Sequence, residues 1–360
     1  MIESLVRASI QQRLVVLVIA LMLMLAGVFA VKKLSVDAFP DVTNIQVLIA
    51  TNASGKSPEE VERFITVPIE IGMTGLPGLT EMRSLNKNGL SLITLVFTDD
   101  TSVYFARQLV MERLAEVMSK MPDGVTPVLG PVSTGLGEIY QYTLDKSSDG
   151  TKELSQEDLT ERRTAQDWVV RPLLRSIPGV AEINSQGGYV KQYQTIVDPD
   201  RLSHYGLKLS DVYLALAKNN TNSGAGVLPQ YEEQYLIRGV GLIQHLDDIR
   251  AIVLKERNGV PVYMRDVAEV KLGHEVRVGS LIKNGDTEAV GGVVMMMRGG
   301  NAKEVVSRIK ARVKEINEKK MLPGNLEIKS FYDRSELVDA ALLTVIKVLI
   351  EGAILVIAIL

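Results

Sequence analysis

The 360-residue chain carries 40 Lys and Arg against 43 Asp and Glu, a net charge of −3 without a basic stripe, so it lacks the electrostatic footprint of a nucleic-acid-binding protein. Cys is absent, which excludes a disulfide framework and thiolate metal sites. The length suits two or three domains.

Leu14 to Val31 runs without a charge (LVVLVIALMLMLAGVFAV). At about 1.5 Å per helical residue this approaches the thickness of a hydrocarbon core and predicts a membrane helix. A cleaved secretory signal is the alternative, but the run exceeds the ~7–15 apolar residues of a signal. Arg7 and Arg13 before it balance Lys32 and Lys33 after it, so the positive-inside rule leaves its direction open.

A β-α-β-β-α-β unit, the split βαβ arrangement, follows. Its first strand is Val42 to Ala50. Ser57-Pro58-Glu59-Glu60 then forms a capping box for a helix with Val61, Phe64 and Ile65 on its apolar face. Leu76-Pro77-Gly78-Leu79 leads into a second strand, and Asn88-Gly89 marks a hairpin to Leu90–Phe97. A helix carrying Val103, Ala106, Val110, Leu114 and Val117 ends at Met121-Pro122-Asp123-Gly124, before a last strand from Val125.

The same order recurs from Glu138. A strand (EIYQYTL) precedes a helix that begins after Ser155, runs through Trp168 toward Leu174 and bends at Pro172. Ile177-Pro178-Gly179-Val180 repeats the Leu-Pro-Gly-Leu junction. The partner strand is delayed to Thr287–Met297, followed by a helix with Asn301 as cap and Glu304 as its box partner, then Leu322-Pro323-Gly324 and a strand. The interval 187–283 reads as an inserted subdomain, with strands near Gln192–Val197, Tyr235, Ile252, Val262 and Val270. It also holds a short helix capped by Ser210, a turn at Arg257-Asn258-Gly259, and a Gly/Asn-rich loop at 219–228. That loop is either an arm reaching a neighbouring subunit or a mobile surface loop.

From Val338 the chain is again apolar, but only residues 352–360 follow Glu351 without a charge. The sequence therefore predicts the start of a second membrane helix, truncated, and a chain that is the front portion of a larger membrane protein.

Enzyme signatures are missing: no GxSxG elbow, no P-loop lysine, no HExxH. His204, His245 and His274 show no ligand spacing, and Met295-Met296-Met297 alternates faces in a strand, which favours core filling over a thioether site. Asp167, beside Trp168, has a weak case for function. Glu138 is the candidate metal-contacting residue. It opens an apolar-aromatic strand after a flexible Gly-x-Gly turn, either as a hard-oxygen ligand for a divalent cation or as a solvated strand-end acid. No cofactor is expected.

In order along the chain, IQQR (10–13), VDAFPDVTNIQV (36–47), GLPGLTEMRS (75–84), VYFARQLV (103–110), GPVSTGLGEIY (130–140), QDWVVRP (166–172), EQYLIR (233–238) and YDRSELVDAA (332–341) resemble the resistance-nodulation-division (RND) efflux pumps, specifically the cobalt-zinc-cadmium type of the heavy-metal branch. The resemblance implies an α+β membrane protein with a large periplasmic portion. Its parts would be an N-terminal segment and transmembrane helix (1–33), a first porter module (34–132), a second in two parts (133–186 and 284–335), a docking subdomain between them (187–283), and the start of transmembrane helix 2 (336–360). It further implies a homotrimer in the bacterial inner membrane, in contact with lipid, with a periplasmic adaptor protein and an outer-membrane channel as partners and no nucleic acid. The activity implied is proton-driven export of divalent cations of the Zn, Co, Cd and Ni type, with the divalent metal cation as transported substrate. Glu138 falls in the segment that carries a cleft-facing acid in this branch, while the proton-relay acids and most of the metal site belong to later segments. The alternatives are an RND exporter of organic amphiphiles, which the low aromatic content (5%) disfavours, and a membrane-anchored periplasmic binding or sensor domain without transport.

Overall fold

A computed structural model describes residues 12–33, 41–146, 153–231, 233–257 and 259–359. The first strands are β1 (Ile45–Asn52), β2 (Leu79–Lys87), β3 (Leu90–Phe97) and β4 (Pro127–Leu129). On β1, Val47, Ile49 and Thr51 are buried two residues apart, as a pleated strand with one core face requires. Antiparallel register sets Val47 opposite Leu95 and Ile49 opposite Ile93, and the sheet order is β2-β3-β1-β4. Ile65, Ile69 and Met73 from one helical segment and Ala106, Val110, Leu114 and Val117 from the helix Val103–Met118 close over that face. The Ser57 box forms as its sequence requires: Glu60 N–H donates to Ser57 Oγ (3.3 Å) and Ser57 N–H to Glu60 Oε2 (2.8 Å).

The capped helix is not one continuous α-helix. It passes from Pro58–Val61 through a π-turn at Glu62–Thr66 and resumes as α over Val67–Met73, with Pro68 second in the resumed segment. The second module does the same: Gln156–Ala165, a π-turn at Gln166–Val170, then Arg171–Arg175 with Pro172 second. Proline lacks an N–H and its ring strikes the carbonyl four residues back, and a one-residue widening ahead of it relieves that conflict. The bend expected at Pro172 is thus a widened turn, and in both helices the irregularity lies just ahead of the proline. Each widened turn carries an exposed aromatic third, Phe64 and Trp168.

The next strands are β5 (Glu138–Lys146), β6 (Val180–Gly187), β7 (Lys191–Val197), β8 (Ser223–Gln230), β9 (Glu233–Gly239), β10 (Val253–Arg257), β11 (Val260–Tyr263), β12 (Ala268–His274), β13 (Leu281–Lys283), β14 (Thr287–Met296) and β15 (Leu326–Asp333). The second large sheet runs β13-β14-β5-β15 with β6 also on β14, so its path β6-β14-β5-β15 repeats β2-β3-β1-β4. The Pro-Gly junctions are closed identically: Thr98 N–H donates to Gly78 O and Met297 N–H to Gly179 O, both at 2.9 Å. Asn301 caps the helix Ala302–Glu318, accepting from Glu304 N–H at 3.2 Å. The expected box partner Glu304 instead turns its carboxylate to Arg308 one turn on, at 2.5 Å.

Among the described residues, the chain divides into two compact units, one holding Met1–Thr143, Val170–Asn184 and Gly292–Leu360 and the other Leu144–Val169 and Ser185–Gly291. Within the second, β7 pairs with β12, and Leu202, Val212, Ile249, Met264, Val267 and Val270 share a core. The helix Pro199–Tyr205, capped by Asp198 (2.9 Å to Asp200 N–H), was not anticipated. The helix anticipated at Ser210 begins at Leu209. The Gly/Asn-rich stretch is largely not a loop: from Ser223 it forms β8 and pairs with β9 in an exposed hairpin. The Arg257–Gly259 turn includes Asn258, outside the described residues.

The first apolar segment is helical over Arg13–Lys33, 21 residues. Among the described residues one helix, Arg334–Ile359 with 26 residues, is long and apolar enough to cross a membrane. The membrane helix expected from Val338 falls on this helix. Lys347 and Glu351 lie one turn apart, Nζ to Oε1 3.9 Å, and pairing on one face lowers the cost of the two charges.

Candidate functional site

Glu138 stands exposed where β5 begins, and behind it Ile139, Tyr140, Tyr142 and Leu144 are buried. β5 is buried on successive residues where β1 alternates, so both of its faces are covered. The Glu138 carboxylate accepts a hydrogen bond from Gln141 Nε2 at 3.1 Å. It is an accessible hard-oxygen donor at the end of a rigid strand.

The Gly-x-Gly segment ahead of it is not a loose turn. Gly135–Gly137 forms a 3-10 turn closed by Gly137 N–H to Thr134 O at 2.8 Å. A Cβ on Gly137 would lie 3.1 Å from the Met296 carbonyl oxygen, a tight approach that glycine avoids where the turn sits against β14. Thr134 is buried, and its hydroxyl donates to Asp41 Oδ2 at 2.9 Å. Burial pushes the Asp41 carboxyl up, but hydrogen bonds from Thr43 and Thr134 and the nearby Arg298 guanidinium hold it below the ordinary carboxylate range. Arg298 donates to the carbonyls of Thr43 and Asn44, the latter at 2.7 Å, and its N–H donates to Val132 O at 3.1 Å. Gly130 is pinned between Leu48 O (2.7 Å) and Arg107 Nη1 (2.6 Å). Residues 130–138 thus form a braced lead into Glu138, built from three distant parts of the chain.

A second polar centre lies where β15 meets the long apolar helix. Asp333 caps that helix, accepting from Ser335 N–H (2.8 Å) and Ser335 Oγ (2.7 Å), and forms an ion pair with Lys310. Burial pushes the Asp333 carboxyl up, yet Lys310 and Ser335 outweigh it and hold the group below its ordinary value. The same contact raises Lys310. Burial likewise pushes the neighbouring Tyr140 phenol up, and the Asp333 charge acts in the same direction. A carboxyl depressed in the folded state contributes stability that is complete above its unfolded value of about 3.9 and is lost as pH falls through the lower folded value. Asp333→Asn is accordingly expected to cost about 1–3 kcal/mol at pH 7. Thermal unfolding of variant and parent should converge on acidification below the ordinary carboxylate range; a gap that stays constant with pH would contradict this.

The other sequence candidates have ordinary roles. His245 N–H donates to Asp248 at the cap of the helix Leu246–Arg250 (2.8 Å), His204 lies edge-on to Tyr205 (5.1 Å), and His274 packs on Tyr189 (4.7 Å). Asp167 pairs with Arg163 at 2.8 Å and accepts from Ser185 Oγ at 2.5 Å. Met295 and Met296 are buried, as core filling requires, but Met297 is exposed. Among the described residues no three His, Cys, Asp or Glu side chains gather as around a bound metal, so no complete coordination shell surrounds Glu138. Asp41, Thr134, Arg298 and Arg334 were not singled out from the sequence, although all but Arg298 lie in its quoted motifs.

The AcrB/AcrD/AcrF family model matches residues 5–360. Protein HelA of Legionella pneumophila is 48% identical over all of this chain, and the cobalt-zinc-cadmium resistance protein CzcA of Cupriavidus metallidurans is 46% identical over the same extent. The cation efflux system protein CusA of Escherichia coli is 41% identical over 95% of it. A crystal structure of a heavy metal efflux pump superposes with a TM-score of 0.87 at 36% identity, covering 98% of this chain and 34% of that one. The chain spans about a third of these relatives, 34% of HelA and CzcA and 32% of CusA. With the matched family model spanning nearly its whole length, this chain belongs to the AcrB/AcrD/AcrF family, the RND transporters.

Proposed function

We propose that this chain is the N-terminal portion of an inner-membrane transporter subunit that exports divalent heavy-metal cations of the Zn, Co, Cd and Ni type by exchange with protons. The observation that carries the reading is end-to-end similarity to heavy-metal efflux proteins. In this reading the two repeated β-α-β-β-α-β modules are porter modules, at 34–132 and at 133–186 with 284–335. The insert at 187–283 is a docking subdomain facing an outer-membrane channel, a periplasmic adaptor binds the periplasmic portion, and segments 1–33 and 336–360 lie in the membrane. Glu138 forms part of one wall of the cation path. Its oxygen is a hard ligand and suits these divalent ions better than Cu(I) or Ag(I). The remaining donors and the proton-relay acids come from parts of the protein beyond this chain. Expression of the complete protein in a metal-sensitive host tests the reading. Raised tolerance to at least one of Zn²⁺, Co²⁺, Cd²⁺ or Ni²⁺ is expected, and unchanged tolerance to all four, with the protein present in the membrane, would contradict it.

The subunit works as a homotrimer. On the helix Val103–Met118, Tyr104, Gln108, Met111, Ala115 and Met118 are all exposed and recur at alternating steps of four and three, the seam of a coiled coil. The β8–β9 hairpin exposes Val227, Leu228, Tyr235, Leu236 and Ile237, and it serves as the arm that reaches a neighbouring subunit. Met111→Glu in the complete protein would gather three carboxylates along one seam at a cost of several kcal/mol. Native mass spectrometry in detergent is expected to show monomers in place of trimers, and an unchanged trimer would remove this helix from the interface.

A further inference from the structure

Strand β15 ends at Asp333 and the membrane helix begins at Arg334, with no linker between. The backbone on either side of Arg334 is held. Asp333 is tied to Ser335 and Lys310, and Lys303 on the helix Ala302–Glu318 reaches Asp339, one turn into the membrane helix, at 2.5 Å. Arg334 is only 4% exposed, and its Nη1 donates to the carbonyl oxygen of Leu136. Burying a guanidinium is costly unless hydrogen bonds satisfy it, and its rigid fork fixes the partner in direction as well as distance. Leu136 lies in the middle of the 3-10 turn, two residues before Glu138.

From this geometry we propose that Arg334 is a positioning residue for the cation path: the first residue of the membrane helix grips the 135–137 turn and so sets where Glu138 is presented. The inference rests on the reading of Glu138 as a cation contact. Thr134 to Asp41 and Gly137 against Met296 brace the same turn from other elements. Arg334 is the brace that comes from the membrane helix, so it joins that helix to the loop ahead of the acid.

The test uses the complete protein, purified in detergent, as parent, Arg334→Met, Arg334→Lys, Glu138→Gln and the double variant Arg334→Met/Glu138→Gln. Amide exchange is followed by mass spectrometry and ZnCl₂ binding by calorimetry. With the charge-assisted hydrogen bond to Leu136 lost, exchange in peptides covering 133–138 is expected to rise about tenfold in Arg334→Met, with β1 and β3 unchanged. The Zn²⁺ Kd should rise by a similar factor, with Arg334→Lys intermediate. In the Glu138→Gln background, Arg334→Met should add less than about twofold, because both changes act through one carboxylate. Independent, multiplying effects on Kd, or unchanged exchange at 133–138, would overturn the proposal. Faster exchange there while Glu138→Gln leaves Zn²⁺ affinity untouched would keep Arg334 as the brace of the turn and instead refute Glu138 as a cation contact. Arg334→Lys keeps the charge and serves the exchange comparison if the Met variant does not assemble.

Discussion

Glu138→Gln in the complete protein is expected to lower tolerance to Zn²⁺, Co²⁺ or Cd²⁺ sharply while leaving its abundance in the membrane unchanged. The substitution keeps shape and one acceptor oxygen and removes the negative charge. Glu138 is exposed and bonded to Gln141, and the core behind it begins at Ile139, so the fold loses little. A divalent cation loses a hard anionic donor. Loss of partners one shell further out already costs about 10–100-fold in metal affinity, and removal of a direct carboxylate should cost at least that. Glu138→Asp, with its charge drawn back by one methylene, should fall between. Growth on graded metal with immunoblotting of membranes decides the matter. Full tolerance at equal abundance would leave Glu138 as a solvated strand-end acid.

Gly187→Ala is expected to be among the most damaging single changes to the fold. Gly187 ends β6 with φ +72°, and an added Cβ would lie 2.2 Å from the Ala289 carbonyl oxygen and 2.9 Å from Leu281 Cβ. The left-handed conformation alone costs a non-glycine residue about 1–2 kcal/mol. The clash is with backbone in a paired strand, which cannot rotate away. Any shift also disturbs Arg163, whose Nη1 donates to Gly187 O at 2.7 Å while its Nε holds Asp167. The combined loss should reach at least about 3 kcal/mol, beyond the ordinary range for point mutants. Gly285→Ala is the control: φ is +85°, but a Cβ there meets nothing within 4 Å, so only the conformational cost applies. Apparent unfolding temperatures in detergent should fall far more for Gly187→Ala than for Gly285→Ala. Equal losses would mean that the β14 contact yields.

These expectations depend on features of very different visibility in the sequence. The caps at Ser57, Ser155 and Asn301 and the Pro-Gly junctions were legible because each is set by residues within four positions of one another. Of the β8–β9 hairpin, β9 was expected near Tyr235, but β8 was not, because both faces of the hairpin are exposed and no alternation of apolar and polar residues marks it. The Asp198-Pro199 start of the helix Pro199–Tyr205 was an available cap signal that went unused. The π-turns were hidden because a one-residue widening leaves the apolar periodicity nearly intact, with Pro68 and Pro172 as the sole hints. Glu138 itself stood out as an acid at the head of an apolar strand. Its bracing by Asp41, Arg298 and Arg334 did not, because those residues lie about 100 to 200 positions away and only the fold brings them together.

Exchange of divalent cations for protons is measured directly as Zn²⁺ movement in vesicles that contain the complete protein, with an imposed proton gradient and an internal metal-sensitive dye. Zn²⁺ flux that requires the gradient, stops on its collapse and falls sharply in Glu138→Gln is the expected result. The absence of gradient-dependent movement of Zn²⁺, Co²⁺, Cd²⁺ and Ni²⁺ alike, in vesicles shown to hold trimeric protein, would contradict it.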